Sequence, residues 1–127
     1  MEVKERITVT AEMVEDFARI SGDTNPIHLN EEAAANSIFG KRIAHGILLA
    51  GFFSRLIAMK YPGPGSIYLQ QNLEFLAPCF IGDEIDVELK LEERIKHVFV
   101  LSTTIYSSQG KVLVKGTAKV LNKSIPI

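Results

Sequence analysis

The sequence predicts an α+β fold: a curved antiparallel sheet of about five strands wrapped around one long buried helix. Three observations carry this. The stretch from Ile47 to Met59 is apolar on nearly every face of a helix, so it must be enclosed. From Ser66 onward apolar residues recur with period two, as in strands with one buried face. No internal repeat, low-complexity tract or linker divides the chain. The length agrees: 127 residues make one domain, residues 1–127. A chain of that size buries roughly two thirds of its unfolded surface, enough for a real core.

The elements follow in order. Glu2 to Val9 is a short strand. Thr10 makes a good N-cap, with Glu12 in the first turn behind it. Met13, Val14, Phe17, Ala18 and Ile20 recur at helical spacing, so residues 11 to 20 form an amphipathic helix. Ser21-Gly22 ends it, and a turn runs from Asp23 to His28. Asn30 caps a second short helix through Glu31, Glu32 and the alanines, stopping before Gly40. Gly40-Lys41-Arg42 leads into the central helix, roughly His45 to Lys60, which Pro62-Gly63-Pro64-Gly65 terminates. Ile67, Leu69, Gln71, Leu73 and Phe75 then share one face of a long strand stopped near Pro78. Gly82-Asp83 is a turn, after which Ile85, Val87, Leu89 and Leu91 alternate with Asp86, Glu88, Lys90 and Glu92. A third strand runs from about His97 to Tyr106, Ser107 to Gly110 is a hairpin turn, and Val112 to Leu121 alternates again. Four hairpin-linked strands and the first strand give one sheet, and the central helix is the only element able to fill its concave face.

Composition excludes several classes of function. The formal net charge is −1 with no block of like charges, which argues against a nucleic-acid surface. The greasiest run is about 13 residues and includes Ser54 and Arg55, whereas a membrane span needs roughly 20. The start, Met1 to Arg6, has no apolar core of a signal peptide. The single cysteine, Cys79, excludes an internal disulfide and fits a reducing cytoplasm, where it serves as a small buried hydrophobe.

Chemistry concentrates between Ser21 and Gly51. Asp23 and His28 place an acid and an imidazole five residues apart, on a turn shaped by Asn25-Pro26. His45-Gly46 stands where the apolar helix begins, and a backbone N–H there has no partner within the helix and lies at the positive end of its dipole. An acid/base pair and a backbone oxyanion donor, joined to an apolar slot, suit proton transfer beside a developing oxyanion. Gly46 has no Cβ to keep a substrate away.

These residues resemble the MaoC-like hydratases, (R)-specific enoyl-CoA hydratases of the hot-dog fold. The resemblance rests on Ser21-Gly22-Asp23-x-Asn25-Pro26-x-His28, on Arg42-Ile43-Ala44-His45-Gly46, and on Phe75-x-x-Pro78 with Gly82-Asp83-Glu84. Residues 11 to 86 match in order and spacing, while the last two strands match only as strands. The resemblance implies that Asp23 and His28 are the catalytic pair and that Gly46 donates its N–H to the oxyanion. Ser54 falls where the family often has a polar residue near the site, so it is carried over as substrate-binding. The implied reaction is the reversible syn addition of water to a trans-2-enoyl-CoA, giving (R)-3-hydroxyacyl-CoA. No cofactor is implied beyond the CoA that belongs to the substrate. The family further implies a cytoplasmic hydro-lyase of fatty acid metabolism that is a homodimer or a dimer-based oligomer, since a lone curled sheet leaves an edge uncovered.

Each residue also has a purely structural reading. Asp23 could hold Asn25-Pro26 in an Asx-type turn, and His28 could be an exposed loop histidine or a helix-flanking one. His45 reads as a packing residue whose ring bonds a nearby carbonyl. Gly46 and Gly51 could simply let the helix pack closely on the sheet. The Ser54 hydroxyl could bond back to its own helix. The spacing of the three histidines and Asp23 fits no common zinc pattern, so no metal is expected. There is no Gly-rich phosphate loop, which leaves CoA to dispersed contacts such as Lys41 and Arg42. Fold alone does not settle function. An acyl-CoA thioesterase, a dehydratase acting on carrier-protein-bound acyl chains, and a non-catalytic acyl-thioester-binding partner subunit are the alternatives.

Overall fold

The computed structural model describes residues 1–127, with six strands and four helices. Strand β1 is Glu2–Thr8, helix α1 Ala11–Ser21, α2 Pro26–Leu29, α3 Glu31–Ala35 and α4 Gly46–Met59. The strands Ile67–Gln71 (β2), Glu74–Phe75 (β3), Glu84–Ile95 (β4), Val98–Ser107 (β5) and Val112–Leu121 (β6) follow. The helix ends obey the local chemistry of their caps. The Thr10 hydroxyl accepts from the Met13 N–H, Asn30 Oδ1 accepts from Ala33 N–H, and Gly22 closes α1 in the left-handed region at φ 81°.

The sheet order is β1-β4-β5-β6-β2, with β3 also pairing β6. This corrects the expectation of four hairpin-linked strands. Only β4, β5 and β6 are joined as hairpins; the β2–β3 segment lies on the far edge, against β6. Residues 76–83 therefore cross back. They do so by pairing with the chain just before α4: Ala44 N–H donates to Cys79 O at 2.8 Å, and Ile43 bridges Phe80. The single long strand expected over residues 67–75 is also broken. The register slips between Tyr68 and Gln70, and Asn72 leaves the line to exchange bonds with Thr117 through both its backbone N–H and its Oδ1. Gly116 makes this possible, because the Asn72 carbonyl occupies the space a Cβ would need.

The core lies between α4 and the concave face of the sheet. Leu49, Phe53, Leu56 and Ile57 of α4 pack in one cluster with Val87, Leu89, Leu101, Ile105, Val114 and Val120. The helix is not enclosed on all sides, contrary to expectation. Ile47, Gly51, Ser54, Arg55 and Met59 recur along one exposed face. A single curled sheet covers only one side of a helix, and nothing else in the chain reaches the other. Toward its C-terminal end α4 is tied to β1 by Arg55 Nη2 and Lys60 Nζ, both on the Glu5 carboxylate.

Candidate active site

The loop after α1 is built by short-range bonds. The Ser21 hydroxyl donates to Phe17 O at 2.7 Å and accepts from Asp23 N–H at 3.1 Å. The Asp23 carboxylate accepts from Asn25 N–H at 3.3 Å, so the Asx-type turn of the structural reading is present. It occupies one carboxylate oxygen. Asn25 in turn caps α2 by accepting from Ile27 N–H, and Pro26 stands in its first turn, where a missing N–H costs nothing. Residues 26–29 are thus a short helix rather than the second half of a turn. That helical turn swings His28 inward: it is only 8% exposed, not the surface histidine of the structural reading.

His28 Nδ1 lies 2.8 Å from Ile43 O. A carbonyl can only accept, so Nδ1 carries the proton and Nε2 the lone pair. The preceding Arg42 is fully engaged, with Nε on His28 O at 2.7 Å and Nη1 on Glu31 at 3.2 Å. It fastens the loop through these two nitrogens. Lys41 rests its ammonium over the Phe80 ring at 4.6 Å.

Asp23, His28 and His45 converge: one carboxylate oxygen and one ring nitrogen from each histidine all lie within 4.8 Å of one another. Sequence spacing did not reveal this grouping, because His45 comes to it from a separate segment of the chain that pairs with the loop. These ligand atoms lie close enough together that the trio could hold a metal ion. The two imidazole rings stack at 3.8 Å and 25°. Each ring also has one nitrogen already on a carbonyl. A gap of up to 4.8 Å between carboxylate and imidazole is too long for a direct hydrogen bond but suits one bridging water.

Gly46 is the first residue of α4, and His45 before it is extended. Its N–H therefore has no partner inside the helix. The absent Cβ has a further cause that the sequence did not disclose. A Cβ at Gly46 would lie 2.6 Å from Cδ1 of Phe75, so the Phe75 ring fills that space and the packing reading of Gly46 holds as well. Gly51 has open space around it, so close packing does not account for it. Ser54 sits on the uncovered face of α4, eight residues beyond Gly46, roughly 12 Å along the axis at 1.5 Å per residue. Its hydroxyl makes no hydrogen bond to Asp23 or His28.

Beside Gly46 opens an apolar cavity of about 400 Å³, lined by Phe39, Ile43, Ile47, Leu49, Phe75 and Leu76 among others. Cys79 also lines it, but burial, with Asp83 adding to it, pushes its thiol up to about 12, so it is not a nucleophile at neutral pH.

The family model described as "MaoC like domain" matches residues 1–110. An (R)-specific enoyl-CoA hydratase of Rhodospirillum rubrum is 42% identical over 106 residues, 83% of this chain and 74% of that protein. An (R)-specific enoyl-CoA hydratase of Aeromonas caviae is 43% identical over 106 residues, 82% of this chain and 79% of that protein. The solved structure of an (R)-hydratase from A. caviae involved in PHA biosynthesis superposes with a TM-score of 0.93 at 38% identity, covering 96% of this chain and 94% of that one.

Proposed function

The chain belongs to the MaoC-like domain family and has the hot-dog fold, and on that premise we propose that it is an (R)-specific enoyl-CoA hydratase. It adds water reversibly to a trans-2-enoyl-CoA and gives the (R)-3-hydroxyacyl-CoA. The observation that carries the site is the gap between the Asp23 carboxylate and the His28 ring, within 4.8 Å and wide enough for one water. One of the pair takes a proton from that water as its oxygen adds to C3. The pair returns a proton to C2 from the same side, which makes the addition syn and restores the starting state. The enolate oxygen that forms meanwhile is met by the free N–H of Gly46, at the positive end of α4. The acyl chain lies in the apolar cavity beside Gly46. Asn25 and Pro26 shape the loop, and the reaction needs no cofactor.

A second copy of the chain covers what one copy leaves open. On the β2–β3 edge Ile67, Leu69, Phe75 and Leu76 are each at least half exposed, and the open face of α4 adds Ile47 and Met59. An apolar edge of this kind invites pairing with another strand. Ser54 on that same face would then act across the dimer. No helix is long and apolar enough to cross a membrane. The reading places the enzyme in the cytoplasm, with Cys79 reduced.

The test is to mix the protein with crotonyl-CoA and follow the conjugated enoyl absorbance alongside free thiol, with chiral analysis of the product. Loss of absorbance without thiol release, and an (R) product, are expected. Buried Cys79 adds no thiol background in the native protein. Release of free CoA would instead assign a thioesterase, and no change in either signal a binding subunit.

A further inference from the structure

We infer that His45 is a positioning residue: through its Nε2–H it fixes where Asp23 stands relative to His28 and to the Gly46 N–H. The inference rests on the reading of Asp23 and His28 as the acid/base pair. His45 is 3% exposed, and its Nε2 lies 3.0 Å from the backbone oxygen of Asp23. That oxygen only accepts, so His45 carries its proton on Nε2. Its Nδ1 is buried and has no partner. The stacked rings of His28 and His45 therefore hold opposite tautomers, each pinned by a carbonyl from the other segment. His28 Nδ1–H donates to Ile43, two residues before His45, and His45 Nε2–H donates to Asp23, five before His28. The result is a cross-brace between the loop at 23–28 and the strand-like approach to α4. Ile43 N–H on Ile27 O at 3.3 Å adds a third tie.

The other bonds on Asp23 cannot do this. Ser21 Oγ, at the end of α1, and Asn25 N–H both lie within two residues of Asp23 on the same exposed stretch, so they shape it without placing it against α4. Only the His45 ring ties the Asp23 backbone to the start of α4, where His45 itself precedes the proposed oxyanion donor. Phe17 packs on the His45 ring with centroids 4.8 Å apart, and the His45 ring in turn stacks on His28. A filler histidine would need the packing alone. The orientation requirement is steep, since a misplacement of about 1 Å can cost roughly a hundredfold in rate.

The two amide variants separate the roles. In His45→Gln the side-chain amide can put an N–H near the position of Nε2. In His45→Asn the amide reaches only the Nδ1 position and leaves Asp23 O unpaired. His45→Gln should keep kcat within about tenfold of wild type, while His45→Asn should lose roughly a hundredfold in kcat with KM little changed and a Tm close to that of the Gln variant. Equal activity of the two variants, or losses that follow Tm alone, would overturn the inference. The wild-type protein supplies an arm that no folding defect can spoil: ¹⁵N shifts of the ring nitrogens should show the Nε2–H tautomer for His45 and Nδ1–H for His28. The reverse tautomer at His45 would sink the idea. Asp23→Asn is assayed in parallel. If it stays active, the acid/base reading fails; if it is inactive while His45→Asn is not, only the role of His45 fails.

Discussion

At the scale of the residue, one side chain does two jobs more than once. Asp23 holds an Asx turn with one carboxylate oxygen and leaves the other outside that turn, so the turn is compatible with the proposed proton transfer. Asp23→Asn retains an acceptor for Asn25 N–H and should leave the loop intact, yet it cannot exchange a proton. We expect Asp23→Asn and His28→Ala each to lower crotonyl-CoA hydration by at least about a hundredfold, with the double variant little worse than either single. Additive losses would show that the two groups do not share one water. Gly46 needs a paired test. The extended backbone of His45 (φ −63°, ψ 130°) suits a following proline, but a Cβ at Gly46 meets the Phe75 ring. Gly46→Ala carries that collision and keeps the N–H; Gly46→Pro carries it and loses the N–H. The ratio of their kcat values isolates the donor and should be roughly a hundred- to a thousandfold. Equal rates would remove Gly46 N–H from the mechanism.

At the scale of the element, register puts particular charges opposite one another. Arg6 on β1 faces Asp86 on β4, and the guanidinium gives the carboxylate two bonds, at 3.0 and 3.1 Å. Those hydrogen bonds first, then the charge of Arg6, hold the Asp86 carboxyl below its usual range. The sign follows from the folded value being the lower one. The stabilisation is complete above the ordinary carboxylate value of about 3.9 and is lost as pH falls through the folded value. The difference in Tm between wild type and Asp86→Asn should be steady from neutral pH down to about pH 5 and shrink below about pH 4. A gap that widens in acid would contradict the pairing. The β2–β3 edge shows the opposite case, an element set by contact rather than by charge: period two in residues 67–75 promised a continuous strand, and the seat of Asn72 on Gly116 broke it.

For the whole molecule, what one chain leaves open is as informative as what it buries. The open face of α4 and the β2–β3 edge carry apolar side chains at exposures no core would tolerate, with Ile67 at 56% and Met59 at 71%. Light scattering at micromolar concentration should give at least twice the 14.1 kDa of the chain. Leu69→Glu, on the bulged edge, should shift the protein toward monomer and lower hydration with it. A monomeric wild type with full activity would refute both the dimer and a role for Ser54 across it.

The sequence alone determined whatever depends on near neighbours. Thr10 and Asn30 cap the helices that follow them, Pro62 to Gly65 stop α4, and the alternation in residues 84–91 and 112–121 marks strands with one buried face. The motif around Asp23 and His28 was legible for the same reason, since its residues lie within one turn of chain. Tertiary structure alone decided the strand order, the uncovered face of α4, the Phe75 ring in place of a Gly46 Cβ, and the His45 bond to the Asp23 backbone. Each of these joins segments at least twenty residues apart or concerns what fails to meet a helix. Periodicity and cap chemistry report how a segment folds on itself; they carry no term for which distant backbone or ring arrives beside it.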